Sequence, residues 1–339
     1  MTWEDLLHPA LRIFLSVDVQ DSTAFKQQAD EADPQPWRTY FAAFLRDFPG
    51  ELEKRCAEIG APDVPPWKLL GDEIVFSVPL RRLEDSAALL RAFRDTIAGY
   101  RSPLPKARKL RLKGSAWTAG FPVANASIPT GPGPGQPLDY IGPSMDTGFR
   151  LGKVATPRQL AISVELAWLL LQLPSNFRAR LPLYFEGRCQ LKGVMEREGY
   201  PEIWTDVFHE AKPLLVAAED KLQPLPVVKA AALRQFCELY IRNHGEPRWT
   251  PFIPGEFDRR TAEEKRRYKA ELGRVHGETQ LLWPELVMAA EAAKPTTRIR
   301  AQTSTLQRLN QSINEALRPR PHPVPRTRAE LRRKRRDTK

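Results

Sequence analysis

Segments patterned as strands alternate with segments patterned as helices over the first 207 residues, and few folds accommodate that order. Residues 12–19 are apolar and β-branched, as in a buried strand, and residues 67–78 read as two strands joined by a Gly-Asp turn. Apolar residues recur at helical spacing in 37–59 and 85–100. The alternation predicts an α/β or α+β sandwich.

The same patterns extend the alternation further along the chain. They predict strands at 110–120, 183–191 and 201–207 and helices at 146–154 and 163–173. The Pro49-Gly50 pair is expected to kink or break the first long helix. The Gly/Pro-rich segment 131–137 lacks the Gly-Lys-Ser/Thr ending of a phosphate-binding loop, so we expect it to connect two strands.

The character of the chain changes near residue 212. Three prolines mark a linker there, and the sequence then reads as helices at 227–244, 260–277 and 282–318. We therefore predict three parts: a first domain at 1–211, a helical accessory region at 212–317 and a basic, disordered tail at 318–339.

The formal net charge of +11 lies mostly in this tail. Residues 318–339 hold ten lysines and arginines against Glu330 and Asp337, which gives +8 and leaves +3 for the other 317 residues. The bulk of the protein is therefore nearly neutral, and nucleic acid is an expected partner only through the tail.

The sequence lacks the features of a secreted or membrane protein. It has no apolar run of about 18 or more residues, and its first residues lack the basic-then-apolar order of a signal peptide. Cys56, Cys189 and Cys237 have neither metal-binding nor disulfide-framework spacing. We expect a cytoplasmic protein with reduced thiols and no membrane contact.

Two acidic residues lie where predicted strands end or turn. Asp18 closes the first strand, and Asp72 lies in the turn between the next two. Either one alone is typical of a solvated turn. At neighbouring strand ends, however, the two would offer hard oxygen ligands to Mg²⁺ or Mn²⁺, ions that bridge triphosphate oxygens and activate a hydroxyl.

Two further segments carry charged residues of interest. Asp146 and Arg150 are four residues apart, so they share one face of a helix, which is also the spacing of a simple surface ion pair. Lys192 lies at a strand end beside Gly193, where a phosphate could reach it, although a lone lysine there is commonly just exposed.

Taken in order, these segments resemble the catalytic domain of the class III nucleotide cyclases over residues 10–207. The motifs are SVDVQDST, KLLGDE, LDYIGPSMDTGFRL and GRCQLKG. The resemblance implies an α+β, ferredoxin-like sandwich followed by a helical C-terminal region. It also implies that a nucleoside triphosphate is closed to a 3′,5′-cyclic nucleotide and diphosphate with two Mn²⁺ or Mg²⁺ ions per site.

The resemblance also implies a role for each matched residue. Asp18, the Val19 carbonyl and Asp72 would bind metal, Ser22 and Thr23 would cover the triphosphate, and Lys192 would bind phosphate. Lys68 and Asp139 would bind the base, and Asp146 would hold the ribose. Arg150 would stabilise the transition state. The family has asparagine where this chain has Asp146, and an ionised carboxylate can accept a hydrogen bond but cannot donate one. The two halves of such a site come from different subunits, which implies a homodimer.

The motifs most resemble the bacterial Pycsar antiphage cyclases, which implies a uridylate cyclase whose cyclic UMP activates a downstream effector. Lys68 and Asp139 are the family's adenine pair, yet cytosine presents the same hydrogen-bond pattern and uracil can bond both residues. Pocket size must then decide, and Tyr40 or Trp67 could fill the space that a purine needs, although either is more commonly a core residue. We expect UTP first, then CTP, then ATP.

A different class of function is a catalytically inactive domain that senses nucleotides. Such a domain would keep the fold and lose the metal-binding carboxylates. Because both Asp18 and Asp72 are present, the sequence favours the enzyme.

Overall fold

The structure, a computed structural model, describes residues 6–27, 36–100, 111–130, 137–194, 198–222, 225, 228–244 and 249–292. All of these except Ala292 belong to one compact unit, Met1–Glu291. The tail expected at 318–339 and the part of the last predicted helix beyond residue 292 lie outside the described residues.

A seven-stranded mixed sheet forms the centre of the described protein, in the order β2-β3-β1-β4-β7-β9-β8. Its strands are β1 (Ala10–Val19), β2 (Pro66–Leu69), β3 (Glu73–Pro79), β4 (Leu112–Phe121), β7 (Gln159–Ile162), β8 (Leu183–Cys189) and β9 (Tyr200–Asp206). Only the β4–β7 pair is parallel. A separate hairpin pairs β5 (Ala126–Pro129) with β6 (Leu138–Ile141).

Helices cover both faces of this sheet. They are α1 (Ser22–Gln27), α2 (Pro36–Ile59), α3 (Leu83–Gly99), α4 (Pro143–Leu151), α5 (Val164–Leu170), α6 (Ser175–Ala179), α7 (Leu214–Leu222), α8 (Ala230–His244) and α9 (Ala262–Ala292). None of these described helices is both long and apolar enough to cross a bilayer. The expected α+β class with a helical C-terminal region is confirmed.

The central strand β1 is buried on both faces because its side chains alternate between two cores. On one face Phe76 of β3 packs between Phe48 of α2 and Phe93 of α3. On the other, Phe14 stacks on Trp117 of β4 with ring centroids 5.4 Å apart. Helix α4 and the β5–β6 hairpin cover this second face, on which the even-numbered residues of β1 lie.

Helix α2 continues through Pro49, so of the two expected effects there, a kink or a break, the break is wrong. A proline removes one intrahelical hydrogen bond and usually bends or ends a helix. Here the side chains that recur every four residues on one face of the helix are all completely buried: Tyr40, Phe44, Phe48 and Leu52. Packing along that face holds the helix together across the proline, because tertiary contacts outweigh local preference.

The segment expected as a connector lies where predicted. Strand β5 ends at Pro129 and β6 begins at Leu138, and the Thr130 amide donates to the Pro137 carbonyl oxygen at 3.0 Å. Residues 131–136 themselves lie outside the described part of the chain. The short strands β5, β6 and β7 were not predicted, since four residues carry too little periodicity to stand out.

Helix α8 packs against the sheet domain through Leu233, Cys237, Tyr240 and Ile241, which are buried in the same hydrophobic core as β1. Phe236 of this helix contacts Phe185 of β8, with ring centroids 5.1 Å apart. The first helix of the C-terminal region that reaches the core is therefore α8, because the three large apolar residues of α7 are exposed.

Candidate active site

Three charged residues form a row across the sheet at the carboxyl end of β1. Asp18 pairs with Glu73 of β3 on one side and with Lys113 of β4 on the other. Directly opposed residues of antiparallel strands place their side chains on the same face. The row therefore lies on the face that α4 and the β5–β6 hairpin cover.

The backbone brings Asp72 to the same end of β1. The Val19 amide donates to the Asp72 carbonyl oxygen at 3.3 Å, which ties the strand end to the β2–β3 turn. Gly71 permits this turn because its φ of 75° lies in the left-handed region that favours glycine. The two carboxylates that the sequence assigns to metal are thus neighbours, and with Glu73 they form what we call the acidic end.

Two lysines form ion pairs with aspartates of the acidic end. The Lys113 ammonium lies 3.1 Å from a carboxylate oxygen of Asp18, and the Lys26 ammonium lies 3.4 Å from one of Asp72. Burial raises the pKa of Asp18, and the Lys113 contact only partly offsets this. Burial also acts to raise the pKa of Asp72, but the Ser22 hydrogen bond and the Lys26 charge outweigh it and leave that pKa lowered.

Glu73 is a site residue that the sequence reasoning missed. Its carboxylate accepts a hydrogen bond from the buried Ser16 hydroxyl. Burial raises its pKa, and the nearby charges of Asp18 and Asp72 add to that rise. The signal was available, because Glu73 follows Asp72 directly and opposes Asp18 once β1 and β3 are paired antiparallel.

The donor set at the acidic end fits a hard divalent cation when a substrate supplies further oxygens. No group of three histidine, cysteine or acidic side chains within the described residues is arranged to hold a metal ion by itself. Mg²⁺ is commonly bound by one or two carboxylates together with substrate phosphates. Asp18, Asp72 and the Val19 carbonyl could supply the protein's share of such a site.

Lys68 and Asp139 form a second cluster, which we call the recognition pair. The Lys68 ammonium donates to both carboxylate oxygens of Asp139, at 2.6 and 2.7 Å. Each side chain stays about one-third exposed. Trp67 lies beside the pair, with the ammonium 4.8 Å from its ring centre and its indole N–H bonded to the Leu138 carbonyl oxygen at 2.7 Å.

A third cluster, the arginine cluster, joins Asp146, Arg150 and Lys192. The Arg150 guanidinium donates to the backbone carbonyl of Lys192 and, at 3.2 Å, to that of Asp146. The Asp146 carboxylate lies 3.8 Å from the guanidinium and is 70% exposed. These hydrogen bonds hold the Arg150 side chain at the C-terminal end of α4, beside the turn that carries Lys192.

The remaining predicted residues fall in different places. Ser22 lies at the start of α1 against Asp72, whereas Thr23 is exposed. Tyr40 is completely buried against Phe25 and Phe41, in the core between α1 and α2. It touches neither the recognition pair nor the arginine cluster, and its position is that of a core aromatic.

Within the described residues of one chain, no hydrogen bond or ion pair joins the carboxylates of the acidic end directly to the recognition pair or the arginine cluster. The nearest link is Lys113, which bonds Asp18 and also donates to the Gly152 carbonyl oxygen at the end of α4, at 3.1 Å. Within one chain, the residues of each cluster contact one another, but the acidic end, the recognition pair and the arginine cluster remain separate.

Comparisons with known proteins give structural neighbours only. The adenylyl cyclase CyaB from P. aeruginosa is 14% identical, covers 59% of this chain and 94% of its own, and has a TM-score of 0.41. The guanylate cyclase domain of RhGC from Catenaria anguillulae is 10% identical, with 58% and 96% covered and a TM-score of 0.41. The guanylyl cyclase Cya2 is 13% identical, with 65% and 98% covered and a TM-score of 0.39.

No family model matches the sequence, and no curated protein matches it. TM-scores of 0.39 to 0.41 do not establish an activity. What this protein can do follows from its own residues.

Proposed function

We propose that this protein is a nucleotide cyclase that converts UTP to 3′,5′-cyclic UMP and diphosphate. The observation that carries the proposal is the Val19–Asp72 backbone hydrogen bond, which holds the carboxylates of Asp18 and Asp72 together at one end of β1. The recognition pair on the same face and the arginine cluster on α4 add the remaining groups that cyclisation needs.

The chemistry is intramolecular phosphoryl transfer from the α-phosphorus to the ribose 3′-oxygen. Two Mg²⁺ or Mn²⁺ ions, when bound, lower the pKa of the attacking hydroxyl and neutralise phosphate charge. The ionised carboxylates of Asp18 and Asp72 would hold these ions. Ser22 and Thr23 would lie along the triphosphate. Arg150 stabilises the charge that develops at the transferred phosphoryl group, and Lys192 holds the departing diphosphate.

The recognition pair supplies base selection through one donor and one acceptor. Lys68 donates to uracil O4, and Asp139 accepts from uracil N3–H, once their mutual bond opens for the base. Trp67 is the bulky residue beside this pair, and in this proposal its ring takes the space that the second ring of a purine would need. The order of preference we propose is UTP, then CTP, then ATP.

We place the complete site between two copies of the chain. One subunit supplies the acidic end, and its partner supplies the recognition pair and the arginine cluster. Exposed apolar side chains flank the recognition pair on β2, on the β5–β6 hairpin and in the turn after β2: Leu69, Leu70, Ile128 and Ile141. Large apolar groups at the surface mark interaction sites, and a twofold homodimer would cover this patch and complete two equivalent sites.

The biological role we propose is second-messenger signalling in antiviral defence, in which cyclic UMP acts on a separate effector. Support comes from the motifs that resemble the Pycsar cyclases. In this scheme residues 1–211 are catalytic, 212–317 are accessory, and the basic tail 318–339 lies outside the reaction.

Purified protein incubated separately with UTP, CTP, ATP and GTP in Mn²⁺ should form cyclic UMP fastest, with the products identified by mass. The reason is that uracil satisfies both members of the recognition pair, whereas a purine must displace Trp67. Faster turnover of ATP than of UTP would contradict the proposed pyrimidine preference but would support cyclase activity. Failure with all four nucleotides in a folded, dimeric sample would contradict the cyclase itself.

Mixing two inactive variants should restore activity if the site is shared between subunits. Asp18→Asn lacks a metal ligand and Arg150→Ala lacks the transition-state cation, so a mixed dimer retains one intact site of its two. Co-expressed, differently tagged chains should recover up to about half of the wild-type activity per mixed dimer. If purified mixed dimers of the two variant chains are as inactive as each variant alone, the whole site lies within one chain.

A further inference from the structure

A polar cavity of about 350 Å³ lies away from the acidic end, where α8 and the segment after it pack on α5. Its lining combines one residue from α5 and one just after it with residues of the C-terminal region: Trp168, Gln172, Arg234, Glu238, Arg242 and Arg259. Thr250 and Ile241 complete the wall. The cavity therefore joins the sheet domain to the helical region.

The lining is strongly positive for so small a space. Three arginines face a single glutamate, which leaves a net charge of +2. Only Arg242 is paired with that glutamate, at 2.9 Å. Arg234 and Arg259 form no ion pair with any residue that the structure describes, so two guanidinium groups remain available to an anion.

The other groups of this wall contribute less to its charge. Trp168 is 97% buried and its indole N–H is shielded from the cavity, so its ring contributes an apolar face to the wall. The Thr250 hydroxyl in this wall is already committed to Glu264, at 2.6 Å.

We propose that this cavity binds a small organic molecule bearing a phosphate group. Arginine matches phosphate because its planar guanidinium donates two parallel hydrogen bonds to one oxyanion. Arg234 and Arg259 hold the phosphate, and Gln172 offers an amide to the uncharged part of the ligand. The volume exceeds what a single phosphate needs, which leaves room for a compact polar group attached to it.

Calorimetric titration of the full chain with glycerol 3-phosphate, with glycerol as the neutral probe, tests this directly. One equivalent of the phosphate ester should bind and glycerol should not. The double variant Arg234→Ala/Arg259→Ala should weaken binding at least about 100-fold, since it removes two arginines and each lost charge-assisted hydrogen bond costs about tenfold.

Two controls separate this cavity from other phosphate-binding parts of the chain. Arg55→Ala removes one arginine from the exposed surface of α2, and Arg150→Ala removes the arginine of the proposed catalytic site; both should bind like wild type. A double variant that binds as tightly as wild type would overturn the proposal, as would an equal loss in Arg150→Ala. Malonate binding as tightly as the phosphate ester would overturn the phosphate assignment.

Discussion

Asp72→Asn is expected to lose cyclase activity by a factor on the order of 10²–10³ or more, and Asp18→Asn is expected to do the same. Asparagine keeps the size of the side chain and offers one neutral oxygen in place of a charged carboxylate. A divalent cation loses most of its electrostatic attraction to the site, so the attacking hydroxyl is no longer activated. The measurement is steady-state formation of cyclic nucleotide at saturating Mn²⁺.

The structure supplies reasons why this loss is chemical and not a failure to fold. The Val19–Asp72 bond uses backbone atoms, so the substitution leaves it in place. The Asp72 side chain contacts Lys26 at 3.4 Å in a partly exposed ion pair, which contributes little to stability. Thermal unfolding of Asp72→Asn should therefore match wild type closely.

Asp47→Asn is a matched control, because Asp47 is an exposed aspartate of α2 whose only ion pair among the residues that the structure describes is with the adjacent Arg46. It should retain full activity. A second readout is binding of Mn²⁺ in the presence of a non-cyclisable UTP analogue, which should weaken strongly in Asp72→Asn and stay unchanged in Asp47→Asn. Near-normal turnover by Asp72→Asn would remove the metal assignment.

Two pairs among the predicted site residues lie in contact although they are far apart in sequence. Lys68 and Asp139 are 71 residues apart in sequence and bond each other, and Arg150 contacts the backbone of Lys192, 42 residues away. Glu73 and Lys113 were missed because their place beside Asp18 depends on strand register. A register fixes which residues face each other only after the strands have been paired.

The fold was predicted best where hydrophobic periodicity is long. Strand β1 and helices α2 and α3 lie within a few residues of the expected positions. The four-residue strands β5, β6 and β7 escaped prediction, whereas the equally short β2 was predicted together with its Gly-Asp turn. The continuity of α2 through Pro49 was missed as well. In both cases a long-range contact decides the local structure: β7 is held between β4 and β9, and α2 by the aromatic residues buried beneath it.

Gly148→Ala is expected to destabilise the protein and to disable the proposed site together. Helix α4 crosses so close to β4 that a Cβ on Gly148 would lie 2.1 Å from the Trp117 ring. Trp117 is completely buried and stacked on Phe14 behind it, so the ring has no space to retreat. The helix must move instead, by more than an ångström if the contact is to reach ordinary van der Waals distance.

The expected cost follows from overpacking, which is typically about 1–3 kcal/mol and occasionally more. For a compact unit of 291 residues, that corresponds to a fall in Tm of roughly 2–5 °C. Asp146 and Arg150 lie on the displaced helix, and a misplacement of about 1 Å can cost about 100-fold in rate. Thermal melts and cyclase assays on the same preparation would measure both effects.

Gly152→Ala provides the matched comparison, because it lies at the end of the same helix in ordinary helical geometry, with a φ of −57°. A Cβ there would meet its nearest atoms at 3.7 Å, a normal contact. Its melting temperature should stay within about 2 °C of wild type, since no atom has to move. If Gly148→Ala melted like Gly152→Ala and kept full activity, α4 could not lie on Trp117 as described, and the position of Arg150 would have to be revised with it.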